Sequence, residues 1–474
     1  MRKTIAKRGF IFMDYMTGAI AWSMFFYFRK TEIESMEFLA NDRFWLGVVL
    51  IPLFWILIYG IIGTYKDVLR LHRFKIVSQT LAASLIGTIV LFFAFLLDDE
   101  VQTYQTYYKS LLALFLLHFI ITLIPRFILI TSYVKSIQNG KFGFNTLLVG
   151  GSEKAISIYR EIKNLPKSMG HNFVGFVNLN GIDTQLKDEL PYLGHAENIK
   201  ETIEQMQIEE VIIALDTSEH EKLRQLVSTL SPYEISIKLI PDMYDILSGS
   251  VKMNNIFGTL LIEVNGDPMP IWQQHLKRII DVLVSTVAFI VLIPLYLVLA
   301  IWVKSSSKGP IFFLQERIGK KGSPFKIIKF RTMYINAEQN GPQLSSEDDP
   351  RITPAGRIMR KLRLDEFPQF LNVILGDMSL VGPRPERQFY IDQIVVREPQ
   401  YLELTKIRPG ITSWGQVKYG YAENVDQMLD RMKFDLLYIK NMSLALDFKI
   451  MFYTLLIIFK ATHLRSQPWH WYLQ

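Results

Sequence analysis

The chain has 474 residues, room for about three domains, and half of it is hydrophobic, with a formal net charge of +7. An apolar yet basic chain suits a membrane protein that turns cations towards anionic lipid or phosphate, and argues against a nucleic-acid binder. It contains no cysteine, which excludes structural disulfides, thiolate catalysis and cysteine-ligated zinc.

The first 140 residues hold four apolar stretches of membrane-spanning length, about 10–28, 44–63, 76–97 and 108–130. No cleavable signal peptide is expected, because the first stretch is as long as a span and lacks a small-residue cleavage site. Arg2, Lys3, Lys7 and Arg8 precede the first stretch, Lys66, Arg70, Arg73 and Lys75 follow the second, and Lys135 and Lys141 follow the fourth. The third loop, DDEVQTYQTY, has no cation. The positive-inside rule then predicts a four-helix transmembrane bundle over 1–140 with both its ends in the cytoplasm.

From about 141 to 250 the pattern changes to short β-rich runs (TLLVGG, FVGFVN, EEVIIAL, ISIKLIP) with helical stretches near 153–164, 196–206 and 219–230. That alternation predicts a Rossmann-like α/β module. Its first turn, Gly150-Gly151-Ser152-Glu153, keeps only the early glycines of a dinucleotide fingerprint. Glu153 would put negative charge where a pyrophosphate should sit, so a structural or dimerising role is favoured over nucleotide binding. Residues 251–276 read as a linker. The run 279–303 is again long enough to span, yet Lys277 and Arg278 flank one end and Lys304 and Lys308 the other. Both flanks favour the cytoplasm and Pro294 bends the axis, which predicts a re-entrant membrane helix.

The remaining cytoplasmic part, within a unit expected over 277–474, reads as a monotopic, α-rich domain. Gln315, Arg317, Lys320, Lys321, Lys326, Lys329 and Arg331 make a cationic approach to the stretch 351–386. There Thr353 and Pro354 predict a helix start. The apolar period continues through Leu364, Phe367 and Phe370, and Pro368 should end or kink the helix. Asp365 would then share a face with Ile358, Lys361 and Leu362. Asp365 and Glu366 follow Arg357, Arg360, Lys361 and Arg363. In isolation such a pair reads as a solvated charged face. Two rigid turns that each present an arginine, Gly382-Pro383-Arg384-Pro385-Glu386 and Arg408-Pro409-Gly410, instead suggest a site for a polyanion bound through a metal.

Between 305 and 445 there is neither histidine nor cysteine, so the usual general base and thiolate are missing. A carboxylate is already ionised at neutral pH and can attack phosphorus directly if a divalent cation and nearby arginines or lysines neutralise the substrate. Adjacent Asp and Glu suit that division of labour, one attacking and one holding Mg²⁺.

The motifs KR at 277–278, GPIFFLQERIG at 309–319, KFRTM at 329–333, LDEFPQFLNVILGDMSLVGPRPE at 364–386, RPGIT at 408–412 and GQV at 415–417 closely resemble the polyprenyl-phosphate hexose-1-phosphate transferases. These are the bacterial sugar transferases that start exopolysaccharide, capsule or O-antigen synthesis. Residues 1–250 are similar to the helical bundle and Rossmann-like module of the family's long members. The resemblance implies that Asp365 attacks the β-phosphate of a UDP-sugar and expels UMP, after which undecaprenyl phosphate takes the sugar phosphate. It implies Glu366 as the Mg²⁺ ligand, Arg384 at the nucleotide, and Lys329, Arg331 and Arg357 at the phosphates. Gln315, Arg317, Pro383, Pro385 and Arg408 are carried over as further substrate-binding positions. It also implies a homodimer in the bacterial inner membrane with its catalytic domain on the cytoplasmic face. Ser413-Trp414 and Tyr419-Gly420-Tyr421 depart from the family pattern and bear on donor selectivity.

Two other readings differ in class. A membrane-bound nucleotide-sugar dehydratase would need a complete glycine fingerprint as well as a Tyr-x-x-x-Lys pair; 144–250 has that spacing at Tyr159 and Lys163, but its fingerprint is incomplete. A non-catalytic scaffold of a polysaccharide assembly complex would leave the acid pair dispensable. The C-terminal run 448–459 and the aromatic PWHWYL predict either an interfacial anchor or a helix packed on the domain.

Overall fold

The computed structural model describes residues 2–96, 104–179, 184–215, 219–230, 233, 235–240, 261–264, 268–337, 341, 343, 349–420 and 422–463. They form two compact units, 1–144 with 160–172, and 145–159 with 173–474. Half of the expected linker, part of the cation-free third loop and the PWHWYL tail lie outside the described residues.

The first unit is built on α1 (Arg2–Phe28), α2 (Asp42–Ile62), α3 (Arg73–Leu91) and α4 (Tyr104–Gln138). α1 packs on α2 and α4, and α3 packs on α4 and α2. Asn41 caps α2 by accepting from Phe44 N, and Gly63 ends it in the left-handed region that glycine adopts without a Cβ penalty. Backbones approach closely where side chains are smallest: a Cβ on Gly87 would lie 2.1 Å from the Trp55 ring, and one on Gly47 2.1 Å from Trp22.

Three helical segments among the described residues, Asp42–Ile62, Arg73–Ala94 and Gln105–Gln138, are long and apolar enough to cross a membrane. α1, expected as a fourth span, is not among them, because Asp14 interrupts its apolar run. That aspartate has a partner. Arg126 of α4 grips it through Nε and Nη2 at 2.7 and 2.6 Å, and the Tyr65 hydroxyl donates to it at 2.6 Å. Arg126 also reaches Thr80 at 3.0 Å and lies 3.5 Å from the centre of the Tyr59 ring. Both members of the pair are fully buried, so each charge depends on the other for its solvation.

In the second unit a six-stranded sheet runs in the order β3-β2-β1-β4-β5-β6. Its strands are β1 (Phe144–Val149), β2 (His171–Asn178), β3 (Tyr192–His195), β4 (Glu210–Ile213), β5 (Ser236–Leu239) and β6 (Ile262–Glu263). β4 runs parallel to both β1 and β5, as the α/β alternation predicted, and β6 closes the edge antiparallel to β5. β6 falls inside the expected linker, where a two-residue strand leaves no periodicity to read. Gly150 has φ 129°, and a Cβ there would lie 2.4 Å from the Ala214 carbonyl oxygen. Sheet packing alone therefore requires this glycine.

The apolar run after the sheet is two helices, Ile271–Val291 and Ile293–Ser306, which meet at 62° across Leu292. Pro294 occupies the first turn of the second helix, where its missing N–H leaves no bond unmade. Leu283, Val287, Leu297, Val298 and Ile301 on this pair are exposed, a composition suited to hydrocarbon neighbours. An antiparallel ribbon follows, β7 (Phe312–Ile318) and β8 (Pro324–Phe330), then short helices and a parallel pair, β9 (Ser379–Val381) and β10 (Gly410–Thr412). The core beneath them gathers Tyr390, Ile394, Met428, Met432, Tyr438 and Ile450. The helix Leu444–His463 packs on this domain by burying Ile450 and through Thr454, which bonds Thr412 at 2.7 Å. Phe448 and Phe452 remain exposed along it.

Candidate active site

The helix expected through Asp365 starts as read and stops early. Thr353 caps Pro354–Lys361 by accepting from Gly356 N. Arg363 then takes φ 57°, a left-handed conformation that no L-residue helix sustains, and Leu364–Glu366 form a separate 3₁₀ turn. Asp365 therefore does not share a helix face with Ile358, Lys361 and Leu362. Pro368, expected to end a helix, instead precedes the next one, Gln369–Leu375. The break stores strain at the acid pair, and a stretch of periodic apolar residues could not announce it.

The turn buries both carboxylates, leaving Asp365 7% and Glu366 6% exposed, and it treats them differently. Glu366 is met by cations from three places: Lys329 Nζ of β8 at 3.2 Å, Arg363 at 3.4 Å and Arg384 at 3.5 Å. Burial works against its charge, but these cations outweigh burial and hold the carboxyl well below its usual range. Asp365 makes no ion pair among the described residues. Burial, and then the adjacent Glu366 charge, push it up to about 6, against the pull of Lys329, Arg360 and Arg363.

Arg384 is delivered by two motifs that clasp each other. Gly382 N donates to Thr412 O at 3.1 Å, and Gly410 N donates to Pro383 O at 2.9 Å. Behind the turn, Glu386 binds both Arg317 (3.2 Å) and Arg431 (2.5 Å), and Arg317 also donates to the Pro385 carbonyl at 3.1 Å. A Cβ on Gly410 would lie 2.1 Å from Gly382 N and 2.4 Å from Thr412 O, both backbone atoms. Gly410→Ala should therefore cost about 1–3 kcal/mol or more and displace Arg384 from Glu366. Thermal unfolding and turnover measured together check this, and loss of turnover without loss of stability would contradict it.

The structure thus brings Asp365, Glu366, Lys329 and Arg384 together and sends several expected phosphate ligands elsewhere. Arg331 is buried and donates to the carbonyls of Pro310 and Ser307 at 2.7 and 2.9 Å, and to that of Lys308. Its expected phosphate contact is corrected to a loop clamp. Arg408 donates to Gly376 O at 2.8 Å at the end of the 369–375 helix. Gln315 accepts from Arg317 at 2.7 Å, so these two brace the arginine turn rather than face a substrate. Arg357 is exposed on its helix.

Lys277 and Arg278, read as membrane flanks, are also anchors. Lys277 pairs with Asp447 at 2.7 Å, and Arg278 donates to Val373 O at 2.7 Å, close to the end of the 369–375 helix. Sequence reasoning missed Asn372, whose amide bonds Ile328 N at 3.0 Å and Lys326 O at 2.8 Å and so ties β8 to the acid-pair region. A lone amide between Leu371 and Val373 was the available signal.

Magnesium can be tested against this donor set. Among the described residues no group of three or more His, Cys, Asp or Glu side chains is placed to hold a metal by itself. Mg²⁺ ordinarily takes one or two carboxylates and completes its shell with phosphate oxygens and water. The cations at Glu366 stand at 3.2–3.5 Å, longer than a tight charge-assisted bond, so they can turn to phosphate oxygens. The pair fits an ion that arrives with a diphosphate.

A family model described as a bacterial sugar transferase matches residues 272–461, and one described as a CoA-binding domain matches 59–241. Over 194 residues the chain is 40% identical to the UDP-glucose:undecaprenyl-phosphate glucose-1-phosphate transferase of Caulobacter vibrioides, covering 40% of this chain and 72% of that protein. The chain belongs to the bacterial sugar transferase family. It is also 42% identical over 225 residues to the UDP-N-acetylgalactosamine-undecaprenyl-phosphate N-acetylgalactosaminephosphotransferase of Aeromonas hydrophila. A UDP-glucose:undecaprenyl-phosphate glucose-1-phosphate transferase of Escherichia coli is 32% identical over 265 residues. These matches cover 47% and 56% of this chain, and they span little more than half of the two relatives, 52% and 57%. All the motifs from 277 to 417 that carried the family resemblance fall inside the transferase match.

Proposed function

We propose that the protein transfers a sugar-1-phosphate from a UDP-sugar to undecaprenyl phosphate, releasing UMP, as the first membrane step of a surface polysaccharide such as an exopolysaccharide, capsule or O-antigen. The observation that carries this reading is the unequal treatment of two adjacent buried carboxylates. Glu366 is met by three cations, while Asp365 has no ion pair among the described residues.

In the first step an Asp365 carboxylate oxygen attacks the β-phosphorus. The bond from that phosphorus to the bridging oxygen breaks, and UMP departs with the electron pair. Lys329, Arg363 and Arg384 move from Glu366 onto phosphate oxygens as charge develops there. In the second step a phosphate oxygen of the lipid attacks the same phosphorus and frees the Asp365 carboxylate. Glu366, with the substrate's own oxygens, would hold Mg²⁺, whose contribution is to neutralise the diphosphate.

The bent helix pair is read as re-entrant, so that the site meets the acceptor at the cytoplasmic face of the inner membrane. We assign the α/β module a structural role in a homodimer. Relatives are named for glucose and for N-acetylgalactosamine donors, so a donor panel is the direct test. Full-length protein in nanodiscs, given undecaprenyl phosphate and Mg²⁺, is expected to turn over one UDP-sugar to UMP continuously, and without the lipid to release no more than one UMP per site. Chelation should stop it. Consumption of the donor without UMP, or sustained turnover without the lipid, would overturn the reading.

A further inference from the structure

The β7–β8 ribbon presents a bulky apolar side chain beside the acid pair that the chemistry above does not use. The register pairs Phe313 with Lys329, and directly opposed residues of an antiparallel pair point to the same face. The Lys329 ammonium lies 3.2 Å from Glu366 and its side chain is only 16% exposed, while Phe313 next to it remains 39% exposed. An aromatic ring left open at the edge of a cationic, buried site suits a ligand with an anionic head and an apolar tail.

The neighbouring residue shows where such a tail would come from. Phe312 stacks on Phe330 at 5.2 Å, and Phe330 lies 6.1 Å from Tyr296 of the helix Ile293–Ser306. The Tyr296 hydroxyl in turn donates to Phe367 O, next to the acid pair, at 3.1 Å. Leu297, Val298 and Ile301 on that helix are all more than 60% exposed. Phe312 and Phe330 lie on the ribbon face opposite Phe313, so their packing against Tyr296 fixes the ribbon end that carries Phe313 beside the apolar helix pair.

We propose that Phe313 is the wall on which the first isoprene units of the lipid acceptor rest while its phosphate meets Lys329 and Asp365. This rests on the reaction proposed above and adds a residue that selects a prenyl chain. A flat nucleobase would need the aromatic face, whereas a branched alkyl chain needs only apolar surface. Phe313→Leu therefore separates the two occupants.

Phe313→Ala is expected to raise the KM for undecaprenyl phosphate roughly tenfold, the worth of one good aromatic contact. The donor KM and the UMP released without acceptor should not change, and Phe313→Leu should stay within about twofold of wild type for the acceptor. In parallel, a prenyl phosphate with a photoreactive group in its first isoprene unit should label residues 312–314, and Phe313→Ala should weaken that labelling. An unchanged acceptor KM, a donor KM raised in both variants, or labelling elsewhere would overturn the proposal. The labelling needs no turnover. If wild type released no UMP from any donor, the reaction would be wrong, and labelling would still decide whether a prenyl phosphate binds at Phe313.

Discussion

Asp365→Asn is expected to lower UMP release at least about a thousandfold while leaving the protein folded, because amide nitrogen and oxygen are poor nucleophiles towards phosphorus. The same substitution should raise the melting temperature at neutral pH. Folding lifts the Asp365 carboxyl from its ordinary 3.8 to about 6, so the folded state holds that proton more tightly than the unfolded chain does. Its contribution to stability is fully present below the ordinary value and is lost as pH rises through about 6. At pH 7 the wild type carries a buried charge beside Glu366 that asparagine removes, and the difference should vanish in acid. Activity should follow the opposite course, since in the proposed reaction the ionised form attacks: turnover should climb through about pH 6 and then level off. Turnover and thermal unfolding profiles of both proteins across this range check the pair of expectations. Wild-type turnover in Asp365→Asn would reduce the pair to a charged turn.

The second large effect is expected in the first unit. Arg126→Leu should destabilise the first unit by about 3–5 kcal/mol, because it strands the buried Asp14 charge among apolar helices. The double variant Asp14→Leu with Arg126→Leu should recover most of that loss, since two well-packed apolar residues need no mutual neutralisation. Recovery should be incomplete, because the Tyr65 hydroxyl and Thr80 lose the partners they now hold. Thermal unfolding of the single and double variants in lipid nanodiscs measures the coupling. A single variant within about 1 kcal/mol of wild type, or a double variant no better than the single, would show that the pair adds nothing to the helix packing.

Several features were legible in the residues themselves. Apolar length is a local property, and so α2, α3, α4 and the bent pair around Pro294 could be read directly. The α/β alternation was equally plain at β1, β2, β4 and β5, where period and composition change together, whereas the short β3 and β6 were not read. The acid pair stood out because Asp365 and Glu366 are adjacent and surrounded in sequence by cations. Composition could not say what each cation does. Arg331, Arg317 and Arg408 look like phosphate ligands until the fold supplies them with carbonyls and a carboxylate from residues 307–310, 385–386 and 376. Asp14 carried no signal in the sequence, and its role appears only where Arg126, 112 residues later, is brought against it. The difference is physical. Chain length and periodicity act over a few residues, whereas the role of a charge depends on its nearest counter-charge or carbonyl in space. That neighbour is set by the packing of distant elements, and here the packing gives Glu366 three cations and Asp365 no ion pair among the described residues.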